Sequence, residues 1–169
     1  MRRREARAVL SLLDPKPGER ILDAGCGAGF YTRLIAGRGA DVLGVDGAPA
    51  MVAAAREEGL DAQVHDLTTG PPPGAPYDKI LCAGVLEFCE SPDPVLTHLV
   101  AGLRPDGGAL ILMLPRRSLM GWLYRLHHRL HPLPCTLRSQ RTVRSWERLG
   151  VRLDVLRRVG FNWVVRFVR

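Results

Sequence analysis

A chain of 169 residues, 46% of them hydrophobic and carrying a net charge of +7, can bury one full core and leaves no room for a second, so it reads as one domain spanning 1–169. No run approaches the ~20 apolar residues of a membrane span, and the start MRRREARAVL lacks the apolar stretch of a secretory signal, which points to a cytoplasmic protein. The four cysteines, Cys26, Cys82, Cys89 and Cys135, have no C-x-x-C spacing and read as reduced thiols, outside any metal site or disulfide.

In chain order, Val9, Leu10, Leu12 and Leu13 suggest a short first helix, stopped by Asp14-Pro15 and the Pro17-Gly18 turn. A strand then enters the glycine-rich segment ILDAGCGAGF, residues 21–30. Beyond it helix and strand alternate: helix Tyr31–Gly37, strand Asp41–Val45, an alanine-rich helix Ala48–Gly59 and a short strand Ala62–His65. TTGPPPGAP is a loop, Lys79–Ala83 a buried strand, Pro94–Gly102 a helix and Ala109–Leu114 a fifth strand. Repeated β-then-α units of this kind imply an α/β, Rossmann-like, doubly wound and mainly parallel sheet with helices on both faces.

After Pro115 the pattern changes. Leu119, Trp122, Leu123, Leu126 and Leu130 fall at helical spacing with Arg125, His128 and Arg129 largely opposite, which predicts a basic amphipathic helix. HPLPCTLRSQ breaks it, Val143–Val159 reads as another helix, and FNWVVRFVR after Gly160 as a single last strand. The chain thus divides into a core at 1–115, a basic insertion at 116–145 and a terminal helix and strand at 146–169. Charge follows that division: 11 basic against 15 acidic residues up to Pro115, and 13 against 2 from Arg116 onward. The basic end suits an anionic membrane surface, RNA or an acidic substrate, or is a solvated face in a chain whose basic residues are nearly all Arg.

The glycine segment separates two cofactor families. Gly25, Gly27 and Gly29 let the backbone turn sharply and approach a ligand where a Cβ would collide. Dinucleotide enzymes require G-x-G-x-x-G, but the third position after Gly25 and Gly27 is Phe30. The pattern is D-x-G-x-G-x-G, headed by Asp23, and it resembles the first motif of class I S-adenosylmethionine-dependent methyltransferases. YDKILCAGVLEFCESPDPVLTHLVAGLRPDGGALILMLP resembles the second half of that family's pattern, and the likeness runs from about Leu12 to Leu114, with a weaker match from Trp146 to the end.

From position alone, Asp46 ends the second strand where a carboxylate can accept both ribose hydroxyls, or else it caps the next helix. The resemblance implies that Asp66 accepts from the adenine amino group, although an acid there also suits a turn. It places Met51 against the adenine, where ordinary packing is the alternative, and extends the cofactor site to Cys26, Gly47, Leu67 and Cys82. S-adenosylmethionine and its product S-adenosylhomocysteine are the implied ligands, with a small hydrophobic or aromatic acceptor as substrate for O- or C-methylation; the alternatives are a degenerate fold serving as a non-catalytic partner subunit and an RNA or protein methyltransferase using the Arg-rich end. Candidate bases are Glu87, His127 and His128, with His131 beside them; H-H-x-x-H lacks a matching acid for a metal and suits a solvated face. The insertion occupies the place of a substrate lid in many small-molecule relatives, its apolar face over the pocket, unless it lies on an anionic membrane. Only one strand after Gly160 leaves the sheet short of the family's usual seven.

Overall fold

The computed structural model describes residues 2–129 and 135–169. Its elements are α1 (Arg2–Leu13), β1 (Arg20–Ala24), α2 (Phe30–Ala36), β2 (Asp41–Asp46), α3 (Pro49–Glu57), β3 (Ala62–Val64), β4 (Lys79–Ala83), α4 (Asp93–Ala101), β5 (Ala109–Pro115), α5 (Leu119–Arg129), α6 (Gln140–Ser145), β6 (Arg152–Val159) and β7 (Asn162–Val168). The strands form one sheet in the order β3-β2-β1-β4-β5-β7-β6. Pairings from β3 through β5 are parallel, and β7 joins antiparallel to β5 and to β6.

Strand residues alternate between two cores, as a pleat of period two requires. Leu22, Ile80, Cys82, Leu110, Leu112, Val165 and Phe167 pack on one face with Leu96 and Leu99 of α4 and with Trp146. Ile21, Leu81, Ile111 and Val164 pack on the other with Val9, Leu12 and Leu13 of α1 and Ile35 of α2. Both faces being buried, the parallel strands read as continuous apolar runs rather than as alternation. No helix among the described residues is long and apolar enough to cross a membrane.

The carboxyl end of the chain departs from its sequence pattern. The stretch expected as one helix, Val143–Val159, is instead the end of α6, a 3₁₀ turn at Trp146–Leu149, and β6. Ser139 opens α6 by accepting from the Thr142 amide at 3.1 Å. Gly150 stops the 3₁₀ turn at φ +87°. A register shift between Leu153 and Val155 then inserts a bulge in β6. That extra residue breaks the two-residue alternation: Leu153 and Leu156, three apart, pack on one core and Val155 and Val159 on the other, so the apolar residues fall at spacings that imitate a helix. With β6 and β7 both formed, the sheet has seven strands, and the expected shortfall of one does not occur. An added Cβ at Gly150 meets nothing within 4 Å, so Gly150→Ala should cost only the left-handed backbone penalty, about 1 kcal/mol, read as a shift in the urea unfolding midpoint.

Candidate functional site

β1 sits between β2 and β4, so the chain changes direction in the sheet there, and the carboxyl ends of these strands frame a crevice. The loop 25–29 leaves β1 and folds back over β2: the amides of Gly25 and Cys26 donate to the Val45 carbonyl at 2.7 and 3.0 Å. Gly25 lies at φ +79°, and an added Cβ would collide with Val85 Cγ2. At Gly27 an added Cβ would meet nothing within 4 Å. Bare backbone there faces open space, which is the form a cradle for a ligand takes.

Asp46 locks this loop. Its Oδ2 accepts from the Gly27 amide at 2.9 Å and its Oδ1 from the Ala48 amide, also at 2.9 Å. The acid thus ties the glycine loop to the entry of α3. Each carboxylate oxygen keeps acceptor capacity beyond these single bonds. Asp23, behind the loop and 2% exposed, accepts from the Thr32 hydroxyl of α2 at 2.7 Å. Burial pushes its carboxyl up to about 6 against the pull of that hydrogen bond.

Two clefts flank Gly25. One, of about 310 Å³, is lined by Gly25, Asp46, Gly47, His65, Asp66, Leu67, Thr68, Gly84, Val85, Phe88, Cys89 and Val95. The other, of about 450 Å³, is lined by Glu5, Gly25, Cys26, Gly27, Ala28, Phe30, Tyr31, Arg33, Ala83 and Met113. Asp66 stands at the rim of the first, its Oδ1 taking the Thr68 amide at 2.8 Å and the Thr68 hydroxyl at 2.7 Å, which hold its carboxyl below the ordinary range. The turn role and a place at the cleft coexist at this residue. The Leu67 carbonyl accepts from His98 Nδ1 of α4 at 2.9 Å, a bond that fixes the proton on Nδ1 and pins this wall of the cleft.

Residues 21–107 match the family model described as a methyltransferase domain, which is half of the chain. The chain belongs to that family. Its fold is that of class I methyltransferases: a magnesium protoporphyrin IX methyltransferase from Synechocystis PCC 6803, solved with bound S-adenosylhomocysteine, superposes with a TM-score of 0.79 at 22% identity over 99% of this chain and 84% of that one. Among curated proteins, a ubiquinone biosynthesis O-methyltransferase of Xylella fastidiosa is 32% identical over 64% of this chain and 47% of its own length. A 23S rRNA uracil-C5 methyltransferase of Thiobacillus denitrificans is 61% identical over 31% of this chain and 12% of its own length. The chain therefore spans about half or less of these two relatives.

The methyltransferase fold brings Gly25, Gly27, Asp46, Gly47, Asp66 and Leu67 to the clefts, while Asp23 and Gly29 support the loop from behind. Gly29 precedes α2 and faces Leu60, which a Cβ would strike. Other expected residues lie elsewhere. Cys82 lines neither cleft: paired with Ala24 and 1% exposed, it packs in the α4 core, and only its neighbour Ala83 reaches the second cleft. Cys26 borders that cleft but is buried in a small core with Val52, Ala55 and Ala62, where burial pushes its thiol up to about 12. Met51 is 42% exposed on α3 and belongs to neither lining.

Glu87 is also outside both linings. Segment 135–138 covers it: Thr136 donates its amide to the Glu87 carbonyl at 2.7 Å, and the Arg138 guanidinium donates to the Cys89 carbonyl at 3.0 Å. At 5% exposure, with no hydrogen-bond partner for Oε2 among the described residues, the Glu87 carboxyl is pushed up to about 7 by burial, against the pull of a hydrogen bond from its own backbone and of Arg138. His127 is exposed on α5 and lines neither cleft. The side chain of His128, and the whole of His131, lie outside the described residues. Among the described residues no group of three or more His, Cys, Asp or Glu could hold a metal ion.

Sequence reasoning missed Glu5, an acid from α1 that is 8% exposed, accepts from Asn162 Nδ2 at 2.8 Å and lines the second cleft. Its signal was a carboxylate on the face of α1 shared with Val9 and Leu12. Phe30, Tyr31 and Met113 complete an apolar wall in that cleft.

Proposed function

We propose that this chain binds S-adenosylmethionine across the two clefts and transfers its methyl group to a small hydrophobic or aromatic acceptor, by O-methylation. The observation that carries this reading is the clasp of Asp46 on the Gly27 amide, which presents a carboxylate and a bare glycine backbone side by side at the carboxyl ends of β1 and β2. When bound, S-adenosylmethionine supplies a methyl group on an already activated sulfonium. The work left to the protein is to bind, orient and exclude water.

Asp46 offers its remaining acceptor positions to ribose hydroxyls, and Asp66 with Leu67 edges the adenine end of the first cleft. Glu5 places a carboxylate in the second cleft, suited to an ammonium group. Phe30, Tyr31, Ala83 and Met113 supply an apolar wall on which an aromatic acceptor can lie. Ubiquinone biosynthesis relatives act as O-methyltransferases by name, which favours an acceptor hydroxyl. The proton of a phenolic acceptor hydroxyl held in line would pass to solvent as the methyl group is transferred, so a base from the two linings is not essential.

The test is calorimetric titration with S-adenosylhomocysteine and, separately, with NAD. Micromolar affinity for the former and none for the latter is expected. Asp46→Ala should weaken it by about tenfold to a hundredfold, the equivalent of one or two charge-assisted hydrogen bonds. Heat with NAD alone, or with neither ligand, would reject the reading.

A further inference from the structure

Among the described side chains of α5, four large apolar ones are exposed: Leu119 by 75%, Trp122 by 54%, Leu123 by 44% and Leu126 by 43%. They follow the spacing of one helical stripe. The helix is held from the opposite side, where Tyr124 meets Phe161 with ring centroids 5.1 Å apart and buried Gly121 sits against the Arg116 carbonyl. The stripe lines neither cleft, so it does not cover the cofactor bed in this structure. Four large apolar side chains on an 11-residue helix are an unusual exposure for an isolated surface, and they need a covering partner.

Charge says which partner. Residues 116–145 contain seven arginines and no Asp or Glu. A second copy of the same face would bring like charges together, whereas an anionic surface complements it. Beside the stripe, a cavity of about 440 Å³ is lined by Arg117, Ser118, Trp122, Thr136 and Leu137. It sets a guanidinium and two hydroxyls next to an exposed indole. A charged head, hydroxyls and an indole beside an apolar stripe are the groups that suit a lipid headgroup region, where Trp is favoured at the interface.

We propose that α5 is a docking surface for an anionic lipid bilayer, with Leu119, Trp122, Leu123 and Leu126 entering the acyl boundary and Arg117 at the headgroups. This goes beyond the methyl-transfer reading and does not depend on it.

The structure supplies its own reporter. Of the three tryptophans, Trp146 is 2% and Trp163 7% exposed, against 54% for Trp122, so a change of emission on docking comes from Trp122. With vesicles of phosphatidylglycerol and phosphatidylcholine in equal parts, the protein should co-sediment and its emission should shift to the blue. Vesicles of phosphatidylcholine alone should give little of either. Arg117→Gln should weaken binding by about fivefold. Leu123→Ser with Leu126→Ser, both at exposed positions and therefore compatible with folding, should weaken it by tenfold or more and abolish the blue shift.

Four outcomes would overturn the proposal. One is no sedimentation with phosphatidylglycerol vesicles at low salt. Another is sedimentation unaltered by the double serine variant. The third is a blue shift without lipid, either on adding S-adenosylhomocysteine, which would mean closure over the protein's own cleft, or with a doubling of mass, which would mean a second copy. The last is retention by single-stranded RNA, but not by vesicles, at the same ionic strength.

Discussion

Gly25→Ala is expected to reduce S-adenosylhomocysteine affinity by about a hundredfold or more and to lower stability by about 2–5 kcal/mol. Two costs combine. The backbone at φ +79° penalises any side chain by about 1–2 kcal/mol, and the new methyl would occupy the space of Val85 Cγ2. Val85 is β-branched and restricted at χ1, so making room for the methyl costs about 1–3 kcal/mol. If the loop rotates to escape, the bonds from the Gly25 and Cys26 amides to Val45 break, and with them the position of Gly27 over Asp46. Either response deforms the wall shared by both clefts.

Gly27→Ala separates the two effects. Its added methyl finds open space, so stability should fall by only about 1 kcal/mol for the left-handed backbone, while the methyl projects into the ligand's bed and binding is lost. Urea unfolding and calorimetry on both variants make the comparison. A Gly25→Ala protein with native midpoint and native affinity would refute the role assigned to this glycine.

The elements from β1 to β5 were legible because parallel strands buried on both faces read as apolar runs and each ends in a turn signal. The clasp of Asp46 on the glycine loop was legible in part: position gave the carboxylate a ribose or a cap, and the structure gives it the loop amide and the helix entry at once. Cys82 against Ala83 marks a limit. In a strand with both faces buried the two are indistinguishable by hydropathy, yet one residue decides whether a side chain enters the α4 core or the cleft. The bulge at Leu153 and Val155 hid β6 for a similar reason, because it removes the alternation by which a strand is recognised. In α5 the pattern gave the helix and its stripe but not what lies opposite. Amphipathicity fixes which face seeks cover, and only the packing of Tyr124 on Phe161 fixes where that face points. Glu87 was singled out from a motif position, and its burial depends on segment 135–138, distant in sequence and without a signal of its own.

That burial gives the second large effect. Glu87→Gln is expected to remove about 3 kcal/mol of the protein's loss of stability between pH 4.5 and pH 8. In the folded chain the carboxyl is raised from 4.5 to about 7, so the native state holds its proton where the unfolded chain has released it. Below about 4.5 both states are protonated and the stabilising contribution of the neutral acid is complete. As pH rises through the folded value the native carboxyl must ionise without a partner for Oε2 among the described residues, and the contribution is lost; at 1.36 kcal/mol per pKa unit the difference is about 3 kcal/mol. Asp23, raised from 3.8 to about 6, acts with the same sign in a lower window, so the variant should retain that part of the slope and lose the part centred nearer neutrality. A glutamine amide shifts the whole curve by a constant through its own hydrogen bonding, which is why the difference between pH values, rather than stability at one pH, is the quantity to measure. Urea unfolding at several pH values from 4.5 to 8 provides it. Parallel curves for the two proteins would mean that Glu87 titrates normally, and that segment 135–138 does not seal it from water.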